Sequence, residues 1–374
     1  MTLPAESRAS EHLGVAVVGT GFMARVHSQA ARAAGARLRF IVGSNERSSS
    51  QAAKELGFDA SAIAVDQILT DDSVDIVHIC TPNALHFDQA RSVLEAGKHV
   101  VCEKPLALAF EHALELFLLS EGRVATVPFI YRFHPMVREA RERVLAGEVG
   151  TLFSLRGSYL QDWLLRENDD NWRVDPAAGG ASRAFADIGS HLVDLIEFVS
   201  GERIARVFAA KRTVFDRRAS LRAISTEDAV CVVIETDSGA IGTLAVSQVA
   251  AGHKNHLQIE LSGSNASVAF DQERPDSLWI GGRDSSVTVA RDPDLLSADS
   301  RRLSILPAGH PMGYQDAFNA FVRDTYAAVG GAVPFGLPSF ADGLRAVNVT
   351  DAVIHSSARG EWVTTPHKFT NVES

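Results

Sequence analysis

The chain has 374 residues, 46% of them hydrophobic and 22% charged, and a formal net charge of −10. That length exceeds one ordinary core and favours two domains, and the composition is that of a soluble globular protein. The acidic balance excludes the basic footprint that nucleic acid or an anionic membrane surface needs, and no apolar run approaches the roughly 20 residues of a membrane span.

Residues 1–12 are polar, lack an apolar signal core and read as a flexible leader. Residues 14–18 read as a buried strand. It runs into Gly19-Thr20-Gly21-Phe22-Met23-Ala24, a Gly-x-Gly-x-x-Ala turn, and residues 25–34 continue as a helix. In that context Gly19 permits the tight turn, Gly21 lets the backbone approach a pyrophosphate, and Ala24 allows close helix–strand packing. Phe22 and Met23 join the cofactor contacts. Residues 38–42 form a second strand. At its end an acid would bind the ribose 2′-hydroxyl of NAD, but Ser44 stands there, with Asn45 beside it and Arg47 close behind. Small polar groups plus an arginine suit the 2′-phosphate of NADP, whereas Glu46 suits NAD; the balance favours NADP.

Residues 51–56 are helical, 74–80 a strand, 86–96 a helix and 99–102 a strand. This alternation argues for a doubly wound parallel sheet, a Rossmann domain over 13–133. A Thr81-Pro82-Asn83 turn with His86 follows one strand, and Glu103-Lys104-Pro105 follows the next, so Glu103 and Lys104 face the cofactor. Residues 129–133 read as the last strand of this domain. Cys80, Cys102 and Cys231 are scattered, make no metal pattern and read as free thiols in a reducing, cytoplasmic compartment.

The second domain, 134–374, opens on a helix from His134-Pro135 to Leu145 and a strand over 151–159. A polar, aromatic loop follows over 161–171. Residues 185–198 read as a helix that sets Asp187 and His191 four apart on one face, with Asp194 a near neighbour of His191. Carboxylates beside a histidine stabilise its charged form and fix its ring, which suits acid–base work. Strands are predicted over 205–213, 228–236, 240–248, 256–262, 268–270, 278–280 and 287–289, with a hairpin turn at Gly239. Helices are predicted over 313–328 and 339–356.

Four ordered motifs now carry a resemblance over residues 13 to 365: the glycine turn, Cys80-Thr81-Pro82-Asn83-Ala84-Leu85-His86, Glu103-Lys104-Pro105, and Asp187-Ile188-Gly189-Ser190-His191-Leu192-Val193-Asp194. The chain resembles the Gfo/Idh/MocA oxidoreductases. That resemblance implies a second domain with an open, mostly antiparallel sheet, one face of which makes a homodimer or homotetramer. It implies hydride transfer between a nicotinamide and a carbinol carbon of a sugar, sugar derivative or cyclitol, with Lys104, Asp187 and His191 at the reacting centre. His191 is the expected base, Lys104 polarises the substrate oxygen and Asp187 orients the site; the roles of Lys104 and His191 are open to exchange. No metal is expected. Tyr131 and Arg132 follow the family's pocket-forming segment. Gln161, Asp162, Trp163, Trp172, Arg173 and His310 join them as substrate contacts, because tryptophan stacks on sugar C–H faces and the polar groups pair hydroxyls. One departure is Arg183, a charge added just before the aspartate motif. Two alternatives stand beside this reading: a glycosidase that oxidises its substrate transiently with tightly held NAD, and a non-catalytic dinucleotide sensor.

Overall fold

The computed structural model describes residues 13–218 and 223–367, so the expected leader lies outside them. The predicted strand–helix alternation forms, with β3, α3, α5 and β6 added to the elements expected: β1 (Gly14–Val18), α1 (Phe22–Ala33), β2 (Arg37–Val42), α2 (Glu46–Leu56), β3 (Ala60–Ala62), α3 (Asp66–Leu69), β4 (Ile76–Ile79), α4 (His86–Glu95), β5 (His99–Cys102), α5 (Phe110–Leu119) and β6 (Ala125–Thr126). The six strands are parallel in the order β3-β2-β1-β4-β5-β6. Every residue of β1 and β4 is buried, as expected of strands covered on both faces. The order reverses between β1 and β4. A doubly wound sheet opens a crevice at that point, outside the carboxyl ends of its strands.

Helix α2 begins five residues earlier than its apolar pattern indicated, because the Asn45 side chain accepts from the Ser48 amide and caps a first turn made of polar residues. The segment read as a final strand, 129–133, is instead a short 3-10 turn over Ile130–Phe133. The sheet has already ended at Thr126. Pro128 has no amide hydrogen to extend the ladder, and the four apolar and aromatic side chains turn into the core.

The chain continues through α6 (Pro135–Leu145), β7 (Leu152–Leu160), α7 (Pro176–Gly179), α8 (Ser190–Ser200), β8 (Ile204–Arg212), β9 (Ala229–Thr236), β10 (Ile241–Ser247), β11 (His256–Gly263), β12 (Ser267–Asp271), β13 (Ser277–Gly281) and β14 (Ser286–Ala290). It closes with α9 (Ala298–Leu303), α10 (Tyr314–Val329), α11 (Phe340–Arg359) and β15 (Val363–Thr364). A nine-stranded sheet runs β14-β13-β12-β11-β7-β10-β9-β8-β15. It is antiparallel except where β10 lies parallel to β7, and the β9–β10 hairpin turns at Gly239 with φ +89°. Alternate residues of β9 and β10 are buried, so one face packs on α8 and α11 and the other is open. Helices α10 and α11 cross back, α10 onto α1 and α11 onto α5, and draw the ends of both sheets together. Among the described residues no helix is long and apolar enough to cross a membrane.

The predicted helix over 185–198 has two parts. Phe185–Gly189 winds as a π-turn, and the α-helix proper starts at Ser190. The π-turn carries Asp187 in its middle and rotates the residues after it. Asp194, one helical turn beyond His191 within α8, does not join it but pairs with Arg132 in the interior. π-turns inside helices often mark functional sites.

His134, at the start of α6, is 1% exposed, and its Nε2 finds no partner among the described residues. Burial pushes its pKa down to about 4. Below its ordinary value of 6.5 the unfolded chain binds a proton that the folded chain refuses until about pH 4. Stability attributable to His134 therefore falls as pH drops through that window, by at most about 1.4 kcal/mol per pH unit. Urea unfolding at pH 7 and 4.5 is expected to show a smaller acid loss in His134→Phe than in the parent. Equal losses in the two proteins would contradict this.

Candidate active site

The crevice at the strand-order reversal is a cleft of about 830 Å³, lined by the glycine turn, Ser44, the 80–83 turn, His86, Glu103, Lys104 and the loop Asn171-Trp172-Arg173. Gly19 has φ +113°, and a Cβ there would lie 2.7 Å from the Cys80 carbonyl oxygen, so no other residue makes this turn without strain. A Cβ on Gly21 would meet nothing within 4 Å, so the backbone there faces open cleft. The first amides of α1 point the same way. Together they make a cradle for an anionic diphosphate at a helix N-terminus. The residues present therefore fit a dinucleotide.

Asn45 and Arg47 are exposed at the start of α2, and the Asn45 side chain is used as the cap. Asn83 donates to the Gly179 carbonyl at 3.0 Å and ties the cofactor side to α7. Both ring nitrogens of His86 lie against backbone carbonyls, those of Pro105 at 2.7 Å and Thr81 at 3.0 Å. It joins the two turns as a structural brace on the cleft wall.

A second cleft of about 320 Å³ adjoins the first, sharing Phe22, Met23, Glu103, Lys104 and Arg173 with it. Its walls bring in Tyr131, Tyr159, Gln161, Asp187, His191, Asn255 and Tyr314. Lys104, two residues beyond the end of β5, donates to Asp187 Oδ1 at 2.6 Å and to the Asp187 carbonyl at 2.8 Å. Gln248 donates to Asp187 Oδ2 at 2.8 Å, and Arg173 Nε stands 3.4 Å from Oδ1. Burial would raise the Asp187 pKa, but Lys104 and Arg173 outweigh it and hold the carboxyl well below the usual range. It is a fixed negative charge.

His191 is half-buried, with the Phe129 and Tyr131 rings edge-on at 5.7 and 5.1 Å. Its Nδ1 has no protein partner among the described residues. Burial, then the Lys104 charge, push its pKa down to about 3, so the ring is neutral at pH 7 and the neighbouring carboxylates do not hold it in the charged form expected from the sequence. Opposite it, Tyr159 donates to Asn255 at 2.7 Å, Gln161 donates to the same Asn255 oxygen at 2.9 Å, and Asn255 reaches Tyr131 at 3.2 Å. This wall offers hydroxyls and amides held in place by one another.

The sequence-predicted contacts divide. Tyr131, Gln161, Arg173, Asp187 and His191 meet at the second cleft, and Trp172 lines the first. Arg132 is buried between Asp194 and Asp342. Asp162 pairs with Lys254, and Trp163 packs on Leu164 and Val174 while donating to Gln161. His310 is exposed outside the cleft. Arg183 is fully buried; it bonds to Asp228 and donates to Gln248, so it supports Asp187 from behind rather than entering the cleft. Tyr159, Gln248, Asn255 and Tyr314 were not singled out from sequence. They belong to β7, to the ends of β10 and β11, and to α10, and no motif flags them.

Residues 13–128 match the model for an oxidoreductase family with an NAD-binding Rossmann fold, and residues 137–269 match that for the GFO/IDH/MocA C-terminal domain. Levoglucosan dehydrogenase of Pseudarthrobacter phenanthrenivorans is 30% identical over 95% of this chain and 99% of its own length. The scyllo-inositol 2-dehydrogenase (NAD(+)) of Bacillus subtilis is 27% identical over 74% of this chain and 79% of its own. D-xylose 1-dehydrogenase (NADP(+)) 2 of Haloferax volcanii is 33% identical over 54% of this chain and 58% of its own. A solved structure of levoglucosan dehydrogenase in complex with NADH and levoglucosan superposes with a TM-score of 0.89 at 30% identity, over 96% of this chain and all of that one.

Proposed function

The chain belongs to the GFO/IDH/MocA oxidoreductases, and on that premise we propose that it is a dehydrogenase or reductase of a neutral sugar, sugar derivative or cyclitol. The observation that carries the proposal is the meeting of Lys104, Asp187 and His191 in one cleft that opens onto the glycine-turn cradle. A nicotinamide bound there supplies or accepts the hydride. The chain's own residues hold the substrate and move the proton. Neutral His191 accepts the proton of the reacting hydroxyl, and the Lys104 ammonium polarises its oxygen. Asp187 holds the lysine in place until the hydroxyl arrives. Tyr131, Tyr159, Gln161 and Asn255 pair the remaining hydroxyls. The test is a panel of sugars and inositols, including levoglucosan, scyllo-inositol and D-xylose, with NAD and NADP, followed by absorbance of the reduced cofactor. Turnover of none of these ring compounds with either cofactor would overturn the reading.

For the cofactor we infer a preference for NADP, and for the assembly a homodimer or homotetramer through the open face of the nine-stranded sheet. Ser44 lines the cofactor cleft where an acid would favour NAD, and exposed Arg47 is free to turn toward a 2′-phosphate. A charge-assisted bond of this kind is worth about tenfold or more in binding. Arg47→Ala is expected to raise the apparent binding constant for NADP by about that factor and to leave that for NAD little changed. Equal loss for both assigns Arg47 another job. A clear preference of the unaltered protein for NAD overturns the reading of Ser44.

A further inference from the structure

A buried polar chain runs through the cofactor half and ends at the reacting groups. His27 of α1 and His78 of β4 face each other, Nδ1 to Nδ1, at 2.8 Å. His27 Nε2 lies 2.9 Å from Glu103 Oε1, and the Tyr326 hydroxyl of α10 lies 3.0 Å from His78 Nε2. Both histidines are 0% exposed, Glu103 6% and Tyr326 7%. The rings interlock edge to face, and Phe318 of α10 meets His27 in the same way at 4.7 Å. Glu103 is the group where this chain surfaces: it lines both clefts, and its Oε2 accepts from the Lys104 amide at 3.2 Å.

We propose that His27, backed by His78 and Tyr326, is a positioning residue that locks Glu103 as a carboxylate beside Lys104 and His191. The argument is one of donors and acceptors. An ionised Glu103 only accepts, so His27 Nε2–H must donate to it. If His27 is neutral, its Nδ1 accepts from His78 Nδ1–H, and His78 Nε2 accepts from the Tyr326 hydroxyl. If His27 carries two protons, the outer part of the chain reverses and the bond to Glu103 is unchanged. The first arrangement leaves every member satisfied, the condition under which a buried polar network stiffens its surroundings, whereas the second turns the Tyr326 hydroxyl into an acceptor and leaves its own proton without a partner in the chain. Burial pushes the Tyr326 phenol well above its ordinary value, so it keeps its proton. The chain is therefore an anchor and not a proton supply.

The groups facing Glu103 from the surrounding elements are His27 of α1, Cys80 beyond β4, His86 of α4, Cys102 of β5, Lys104, His191 of α8 and Tyr314 of α10. Burial would raise the Glu103 pKa; the His27 bond, with the Lys104 charge beside it, brings it below the ordinary glutamate value. In return the Glu103 charge makes His191 a better base. His27 thus tunes a group it does not touch.

The proposal rests on the reading of Lys104 and His191 as reacting groups, so its test has one arm that needs no substrate. The Glu103 carboxyl is followed by infrared pH titration of the full-length protein, its band assigned with Glu103→Gln. In the unaltered protein it is expected to be ionised down to below pH 4.5. In His27→Phe it should lose its proton about one to two pH units higher, the cost of one charge-assisted hydrogen bond. His27→Gln, whose amide restores a donor, should return it most of the way. With a substrate that is turned over, the acid limb of kcat should move up by a similar amount in His27→Phe and return in His27→Gln. A Glu103 that is protonated at pH 7 in the unaltered protein overturns the proposal even if His27→Phe does not fold. So does a carboxyl that titrates alike in all three proteins, or an acid limb that stays in place while the carboxyl moves. If Lys104→Ala keeps full turnover, the catalytic reading has failed instead, and the infrared arm still decides the anchor.

Discussion

Lys104→Ala is expected to lower turnover by on the order of 10²–10⁴-fold, the usual scale for a positioned proton-transfer group, while dinucleotide binding persists. The ammonium sits where the two clefts meet and is the only lysine on either wall among the described residues. Its removal takes away the charge proposed to polarise the substrate oxygen, and it leaves the Asp187 carboxylate with Gln248 and a longer contact to Arg173. The loss belongs in kcat more than in KM, because the lysine acts on charge that develops in the transition state. Asp187→Asn is the companion experiment. It frees the lysine from its anchor while keeping the Gln248 side of the site filled, and a smaller loss is expected. Steady-state kinetics and a titration of NADH fluorescence measure both quantities. Near-normal activity of Lys104→Ala with every accepted substrate would remove the lysine from the mechanism.

The second large effect concerns what the cleft accepts. A neutral ring is expected to be turned over at least about 10²-fold more efficiently than its uronic acid or phosphate counterpart, because like charges brought together cost several kcal/mol. The deciding observation is the fate of the arginines. Arg132 is spent on Asp194 and Asp342, and Arg183 on Asp228, all in the interior. Of the three arginines, only Arg173 lines the cleft among the described residues, and it already stands against Asp187. An anionic substrate would meet the fixed Asp187 charge with no spare guanidinium to pair it. The wall of Tyr131, Tyr159, Gln161 and Asn255 offers neutral donors and acceptors instead. A deoxy analogue lacking one hydroxyl that this wall pairs should lose about tenfold to a hundredfold in kcat/KM, since it leaves a buried polar group unmatched. If only the charged compound reacts, Arg173 becomes the specificity determinant and the neutral-ring reading is dead.

Much of the frame is legible along the chain because its causes are local. Short apolar runs separated by Gly-ended helices produce the parallel sheet. The glycine turn, the Thr81-Pro82-Asn83 turn and the Glu103-Lys104-Pro105 turn each follow a strand of that sheet, so they gather at one edge of it wherever the rest of the protein goes. Lys104, Asp187 and His191 can be singled out in the sequence on similar local grounds, as members of motifs. The segment at 129–133 misleads because a buried apolar run has no period to separate strand from turn, and Pro128 decides between them.

Only the tertiary structure decides which polar residues serve the site and which serve the core. Arg132, Arg173 and Arg183 are alike in sequence: each is a cation close to a motif. Two of them are neutralised by carboxylates 45 to 210 residues away, and one is left at the cleft. His27, His78 and Glu103 are separated by 51 and 76 residues, yet they share one line of hydrogen bonds. The charge and donor pattern of a side chain is written at its own position. Its partner is supplied by packing, and for a buried polar group the partner determines whether it reacts, positions or merely holds the fold together.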